Sequence, residues 1–274
     1  MKSIRLAFLF LGAVSLAACG GDDGVIVAPK EELAYTRFVH AVPDTGATDW
    51  RFIDVLKNSP TAIGLTYRGF TPYQATAVGQ HQLRIFTTST DINITSVPII
   101  DEAVTFQANT YYTIVHVGYT RTGQAPADRL LVIQDNIPDV ANANVAVRGV
   151  NLATGLGNLD FFASASGGTS PLPSTPLFAN VAYLASTAYS NLTPGPLAVR
   201  TTATGQTTVL ADVNAPAGQS ADPAANLNAV GGSTKGGSAF TAFAFPRSVA
   251  GSQAPQGTGF GAPTIIYIID RNPK

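Results

Sequence analysis

Residues 110–118 (TYYTIVHVG) form a short apolar run rich in β-branched and aromatic side chains. Such runs are typical of β-strands, because branched and aromatic groups fit the half-buried surface of a pleated sheet. Similar runs occur at 83–87 (LRIFT), 130–134 (LLVIQ) and 264–269 (TIIYII). We therefore predict strands at all four places.

The order of apolar and polar residues also favours strands over helices. Leu83 and Ile85 lie on one side of an extended chain, and Gln82 and Arg84 lie on the other, which is the two-residue period of a half-buried strand. Many short strands separated by turn residues predict an all-β fold, either a sandwich or a barrel. The run 264–269 is apolar on both faces, which predicts a central strand or one pressed between layers.

The chain repeats part of its own sequence. The motif at 37–40 (RFVH) recurs at 148–151 (RGVN), an offset of 111 positions. The offset is 128 between Thr113 and Thr241, and 135 between Asp135 and Asp270. At an offset of 116, a further group of residues reappears: Tyr67, Thr71, Tyr73, Gly79, Arg84 and Thr88 match Tyr183, Thr187, Tyr189, Gly195, Arg200 and Thr204.

The offset grows because extra residues fall in 166–176, 214–238 and 248–263, which are rich in Gly, Pro, Ser and Ala. Insertions of this kind are tolerated in surface loops. We therefore predict two tandem β-sandwich domains, at 33–139 and 143–274. We predict that 214–238 is a mobile loop.

The N-terminus predicts export. Two basic residues precede an apolar run of 11 residues at 6–16, and a spanning helix needs about 20. The sequence LAAC at 16–19 resembles the lipobox of bacterial lipoproteins, in which the leader is removed and the cysteine carries lipid. We predict a lipoprotein signal peptide at 1–18 and lipidation of Cys19. The alternative is an ordinary secretory cleavage after Ala17.

Residues 19–32 follow as a lipidated cysteine and a flexible tether, since they lack clear periodicity. An N-terminal lipid anchor would hold the protein on a membrane of the bacterial cell envelope. Enteric lipoproteins that stay in the inner membrane typically carry Asp after the cysteine, so Gly20 favours the outer membrane. Cys19 is the single cysteine, and no disulfide is expected.

The motif at 37–44 (RFVHAVPD), together with Gly79, the Tyr-Tyr-Thr strand and the lipobox, resembles the family called domain of unknown function 4397. The resemblance covers most of 34–139 and, more faintly, 143–274. It implies immunoglobulin-like β-sandwich modules, often in tandem, in secreted and lipid-anchored bacterial proteins. It implies no activity and no catalytic residues.

Histidines are the first candidates for chemistry. His40, His81 and His116 lie on separate predicted strands, and none has a partner at metal-ligand spacing. We predict that His40 bonds a loop carbonyl and that His116 is packed in the sheet. We would predict a metal site only if the fold placed His116 beside both His40 and a carboxylate. In the second copy, Asn151 stands in place of His40.

Motifs for nucleophiles and phosphate binding are missing from the sequence, so we predict no catalytic residues, no cofactor and no metal. Asp49 and Asp160 are the acids that recur beside an aromatic residue at matching places. That pattern is typical of a turn or strand end.

Charge and composition limit the partners. The chain has 16 basic and 17 acidic residues, so it lacks the positive excess that nucleic-acid binding requires. We predict a non-catalytic structural or interaction module that contacts envelope proteins or polysaccharide. The first alternative is a glycan- or small-ligand-binding lipoprotein that uses exposed aromatics such as Trp50, Tyr67 or Tyr73. The second alternative is an envelope hydrolase whose carboxylates meet only in space.

Overall fold

The computed structural model describes residues 31–165 and 171–274. Within these ranges the chain forms sixteen strands, one short α-helix and one 3-10 turn at Thr258–Phe260. The elements of the first half are β1 (Leu33–Ala41), β2 (Thr48–Phe52), β3 (Thr61–Leu65), β4 (Gln74–Ala77), β5 (Gly79–Thr87), α1 (Ile92–Thr95), β6 (Pro98–Phe106), β7 (Tyr111–Val117) and β8 (Arg129–Gln134). Those of the second half are β9 (Val145–Asn151), β10 (Leu159–Ser164), β11 (Phe178–Val181), β12 (Ser190–Leu192), β13 (Ala198–Ala203), β14 (Val209–Asn214), β15 (Ala239–Phe245) and β16 (Thr264–Arg271).

The strands form four sheets of four strands, two in each half. The first half contains the sheets β4-β1-β7-β8 and β3-β2-β5-β6, and the second contains β12-β9-β15-β16 and β11-β10-β13-β14. The strand order is therefore the same in both halves. The all-β, sandwich-like fold is confirmed. The immunoglobulin-like subtype stays a prediction, because each half has eight strands and the constant-type immunoglobulin domain has seven.

The two halves also agree in register. In the first half β1 and β7 run parallel, with Tyr35 opposite Tyr111. In the second half β9 and β15 run parallel, with Ala146 opposite Ala239. These residues are related by the offsets of 111 and 128 found in the sequence.

Alternate residues of the inner strands face different cores. Phe38 of β1 and Ile114 of β7 pack against Trp50, inside the first sandwich. Val39 and Val115, which are next in sequence, point to the opposite face of the same sheet. Both faces are therefore covered, which explains why every residue of β7 after Tyr111 is buried.

The opposite face belongs to a core that the two halves share. Nine of its buried members come from strands of the two inner sheets, namely Val39, Ala41, Val115, Val117, Ile133, Val150, Phe243, Phe245 and Ile268, and two come from loops, Tyr67 and Leu152. The sheets β4-β1-β7-β8 and β12-β9-β15-β16 thus meet face to face, at a contact that we call the seam. Residues 32–274 form one compact unit.

The four predicted strands are present as β5, β7, β8 and β16. The prediction of a central position for 264–269 was wrong, because β16 is the last strand of its sheet. The alternative is confirmed. Ile265 packs inside the second sandwich, and Ile268 packs in the shared core, so the strand lies between two apolar layers.

Two of the predicted insertions are folded against the body. The stretch 214–238 was predicted as a mobile loop, but it forms a narrow hairpin in which Gln219 and Val230 exchange two backbone hydrogen bonds of 2.9 and 3.0 Å. The stretch 248–263 is held by the first half. Arg68 donates hydrogen bonds of 2.6 Å to the carbonyls of Gly259, Pro246 and Ala262.

Candidate functional site

The seam contains a buried polar network, which residues of both inner sheets form. Arg37 is fully buried, and its Nε donates to Thr113 Oγ1 at 2.8 Å. Its Nη2 reaches across the seam and lies 2.7 Å from Oδ1 of Asp270. Asp270 also accepts hydrogen bonds from Tyr189 (2.8 Å) and Thr241 (2.6 Å) of its own half.

The second half makes the equivalent contacts with the first half. Arg148 Nε donates to Thr241 Oγ1 at 2.7 Å, and Arg148 Nη2 forms an ion pair with Asp135 of the first half. Asp135 accepts from Tyr73 (2.8 Å) and Thr113 (2.6 Å). We call these eight residues the seam network. Each arginine is paired with the aspartate of the other half, so the two ion pairs cross the seam in opposite directions.

Burial and charge set the protonation states of the seam network. Burial lowers the pKa of Arg37, but Asp270, Tyr73 and Asp135 together outweigh it, and the net shift is upward. Burial raises the pKa of Tyr73 and of Tyr189 far above the usual range. Both phenols therefore keep their protons and donate to the aspartates. The centre of the Tyr73 ring lies 4.5 Å from the guanidinium carbon of Arg37, and the centre of the Tyr189 ring lies 5.0 Å from that of Arg148. Both are cation–π distances.

A cleft opens where the seam reaches the surface. We call it the seam cleft; its volume is about 500 Å³, and it is lined by 109–111, 134–137, Asp270 and Arg271. Tyr111 forms part of its wall and is 36% exposed. The Tyr111 ring stacks on Tyr35 at 4.8 Å, and the edge of Tyr73 meets it at 5.0 Å.

The structure brings two of the three histidines together. His40 and His116 are opposite one another on β1 and β7, with ring centroids 5.7 Å apart. His116 Nε2 lies 2.9 Å from a carboxylate oxygen of Asp128. His81 lies elsewhere, near Asp54. The two residues lie on separate strands, as predicted, but the parallel pairing of β1 and β7 brings them together, which spacing in the sequence could not show.

His40 has no free ring nitrogen to offer a metal, whereas Nδ1 of His116 is buried without a hydrogen-bond partner among the described residues. His40 Nδ1 accepts from the backbone N–H of Val42 at 3.3 Å, so the proton is on Nε2, which donates to the carbonyl of Gly46 at 2.9 Å. The predicted bond from His40 to a loop carbonyl is confirmed, as is the packed position of His116. Across 31–165 and 171–274, His, Cys, Asp and Glu form no group of three with metal-binding geometry.

Burial of His40 leads to a prediction about pH. Burial, and then the neighbouring His116, lower the pKa of His40 from 6.5 to about 3. Between pH 6.5 and about 3, His40 is therefore protonated in the unfolded chain and neutral in the folded protein. The free energy of unfolding should fall as the pH is lowered from 6.5 towards 3, by up to about 1.4 kcal/mol per pH unit from this group. Denaturant titrations at several pH values measure the slope.

His40→Asn should remove most of that slope. The second half shows that asparagine can replace the ring: Asn151 accepts from Ala153 N at 3.0 Å and donates to the carbonyl of Gly157 at 2.9 Å. His81→Asn is the matched control and should retain most of the slope. An unchanged slope in His40→Asn would contradict the assignment.

Asp49 and Asp160 have structural roles near strand ends and turns, as predicted. Asp49 Oδ1 accepts from Gly64 N (2.8 Å) and Thr88 Oγ1 (2.5 Å). Asp160 accepts from Asn180 N (2.6 Å) and Gly205 N (2.9 Å). Both carboxylates thus accept hydrogen bonds from equivalent segments of the two halves.

The aromatic residues proposed as an exposed binding surface were predicted wrongly. Trp50 has no exposed area and Tyr67 is 1% exposed, because both pack in cores. Tyr73 is half-buried in the seam network. Among the described residues, the aromatic side chains with the largest exposed fractions are Phe70 and Tyr111. The signal that could have set Tyr111 apart was its lack of an aromatic match at position 239.

The fold and the seam define a class of protein: a β-sandwich protein whose two halves share a core. Residues 34–162 match the family model described as Domain of unknown function (DUF4397). The match extends from β1 through β9 and into β10, so it crosses the seam. No curated protein matches the chain significantly.

The predicted lipidation site, Cys19, and the signal peptide lie outside the described residues. Among the residues that the structure does describe, no helix has the length and apolar character needed to cross a membrane.

Proposed function

We propose that this protein is a lipid-anchored component of the bacterial cell envelope that acts as a non-catalytic interaction module. One observation carries the proposal: Asp49, Asp160 and His40, which the sequence offered for chemistry, have internal partners. The two aspartates accept backbone hydrogen bonds from neighbouring segments of their own halves, and both nitrogens of His40 are hydrogen-bonded. Side chains occupied in this way serve the fold.

The compact body suits such a role. Residues 32–274 form one unit, and crossed ion pairs join its halves. A body of this kind presents its loops and clefts in fixed positions, as a binding module requires. The lipobox-like sequence at 16–19 supports the anchor, and Gly20 supports placement in the outer membrane.

The anchor gives a direct prediction. The full chain, produced in a Gram-negative host with radiolabelled palmitate, should be labelled and should sediment with membranes. Cys19→Ala should lose the label and leave the membrane fraction, because the thiol that carries the lipid is gone.

The matched control is Ser15→Ala, which changes the leader but leaves the cysteine, and it should be labelled normally. Label that persists in Cys19→Ala, or a wild-type chain without label, would overturn the anchor. The partner is then sought by cross-linking in intact cells, which separates envelope proteins from polysaccharide.

A further inference from the structure

The seam cleft has an aromatic wall that the fold itself does not require. Tyr35 and Tyr111 are opposite one another on β1 and β7, and their rings stack. At the same register in the second half, Ala146 is opposite Ala239. Because that half builds the same sheet with alanines, the tyrosines of the first half are not needed to form the strand pair.

The counterpart of the cleft in the second half is covered by the chain itself. The hairpin at 214–238 packs there, and Gly231 N donates to Asn272 Oδ1 at 2.8 Å. A Cβ on Gly231 would lie 2.7 Å from Ile269 Cγ2 and 2.9 Å from the carbonyl oxygen of Arg271. The approach is so close that only glycine fits. Tyr111, in contrast, keeps an exposed face.

The rim of the seam cleft carries neutral polar groups. The side chains of Asn109, Gln134 and Asn136 are exposed around Tyr111. An amide both donates and accepts hydrogen bonds, and so does a sugar hydroxyl. The ring of Tyr111 supplies an apolar face on which the C–H face of a pyranose can stack.

The charges at the base of the cleft are already paired. Asp270 is paired with Arg37, and Asp135 is paired with Arg148. Arg271, at the rim, donates to the carbonyl of Pro138 and to the carboxylate of Asp139. With these charges satisfied, the opening fits an uncharged, hydroxyl-rich ligand better than an anion or a cation.

We propose that the seam cleft binds a neutral saccharide, with Tyr111 as the stacking surface and Gln134 and Asn136 as hydrogen-bonding groups. The inference rests on the proposed role as an envelope interaction module and names the chemistry of its partner. The cleft volume of about 500 Å³ lies within the range of about 300–1,000 Å³ that is usual for small-ligand sites.

Binding can be measured on the compact body, residues 32–274, by isothermal titration with chitotetraose, cellotetraose and maltotetraose, and by co-sedimentation with purified peptidoglycan. We expect saturable binding of at least one soluble oligosaccharide. Chitotetraose with peptidoglycan indicates an N-acetylated wall polymer, whereas the other two indicate a hexose polymer. Tyr111→Ala should lower the affinity for the probe that binds about tenfold, and Tyr111→Phe should leave that affinity unchanged.

Tyr119→Ala is the matched control. Tyr119 lies two residues beyond the far end of β7, about 26 Å from Tyr111 along the strand. The Tyr119→Ala variant should bind the same probe with wild-type affinity. Equal affinity in Tyr111→Ala, or no binding of any probe, would overturn the saccharide site. Palmitate labelling would then still report on the anchor, so the two proposals fail separately.

Discussion

Asp270→Asn should lower the free energy of unfolding by about 3–5 kcal/mol, the usual cost of leaving one charge of a buried ion pair without its partner. Arg37 is fully buried, and the side chain of Asp270 has no exposed area. Thr241 and Tyr189 donate to the other oxygen of this carboxylate, so the N–H group of an amide in its place would oppose either these two hydroxyls or Arg37. Denaturant unfolding followed by circular dichroism measures the loss.

Because the ion pairs are reciprocal, Asp135→Asn should have an effect of similar size. The matched control is Asp101→Asn, which breaks a surface pair with Arg84 in which both side chains are more than a third exposed. It should change the free energy of unfolding only slightly. An equal effect of the buried and the surface substitutions would contradict the role given to the seam network.

The double variant Arg37→Met with Asp270→Leu tests the same point in the other direction. Replacing both charges with apolar groups removes the unpaired charge, and such replacements are often neutral or stabilising. We expect this variant to recover most of the stability lost in Asp270→Asn. A loss equal to the sum of two independent substitutions would show that the residues do not act as a pair.

Separating the halves should have the second large effect. Produced alone, 33–139 and 143–274 should each fail to give a soluble, cooperatively unfolding monomer. Each would expose its side of the shared core, and each would leave an arginine without its partner. Produced together, they should associate as a 1:1 complex. Size-exclusion chromatography with thermal unfolding distinguishes these results.

The matched control for separation is the intact chain with a protease site inserted at 140–142, in the exposed connection between β8 and β9. After cleavage the two pieces should stay together, because the contacts across the seam do not depend on that peptide bond. A stable, soluble monomer of either half alone would contradict the shared core.

The DUF4397 match bears on this second prediction. It begins at residue 34 and ends at 162, beyond the predicted domain boundary at 139. The extra residues contain β9 and most of β10, and β9 carries Arg148, the partner of Asp135. The matched region thus includes one complete crossing of the seam.

Much of the seam network was visible as a repeat in the sequence. Arg37 and Arg148, Tyr73 and Tyr189, Thr113 and Thr241, and Asp135 and Asp270 all stood at matched positions. The repeat could not show how they pair. A repeated motif predicts equal contacts within each copy, whereas here each arginine reaches the aspartate of the other copy.

For a related reason, the sequence could not show which aromatic residues are exposed. Trp50 and Tyr111 both occur in strand-like runs, and period alone assigns each residue to one of two faces. It does not say which face another sheet will cover. Trp50 faces the inside of the first sandwich and is buried. Tyr111 lies at the edge of the seam, where the opposite sheet no longer covers it, and is partly exposed.

Local patterns in the sequence were enough to predict the all-β class, four of the strands and the matched positions of the two halves, because the alternation of side chains and the placing of turn residues are local properties of the chain. Tertiary contacts alone show that the inner sheets share one core, that the ion pairs cross between the halves and that His40 lies against His116. These features depend on contacts between residues tens to more than two hundred positions apart, and no local pattern encodes which distant surface a buried face will meet.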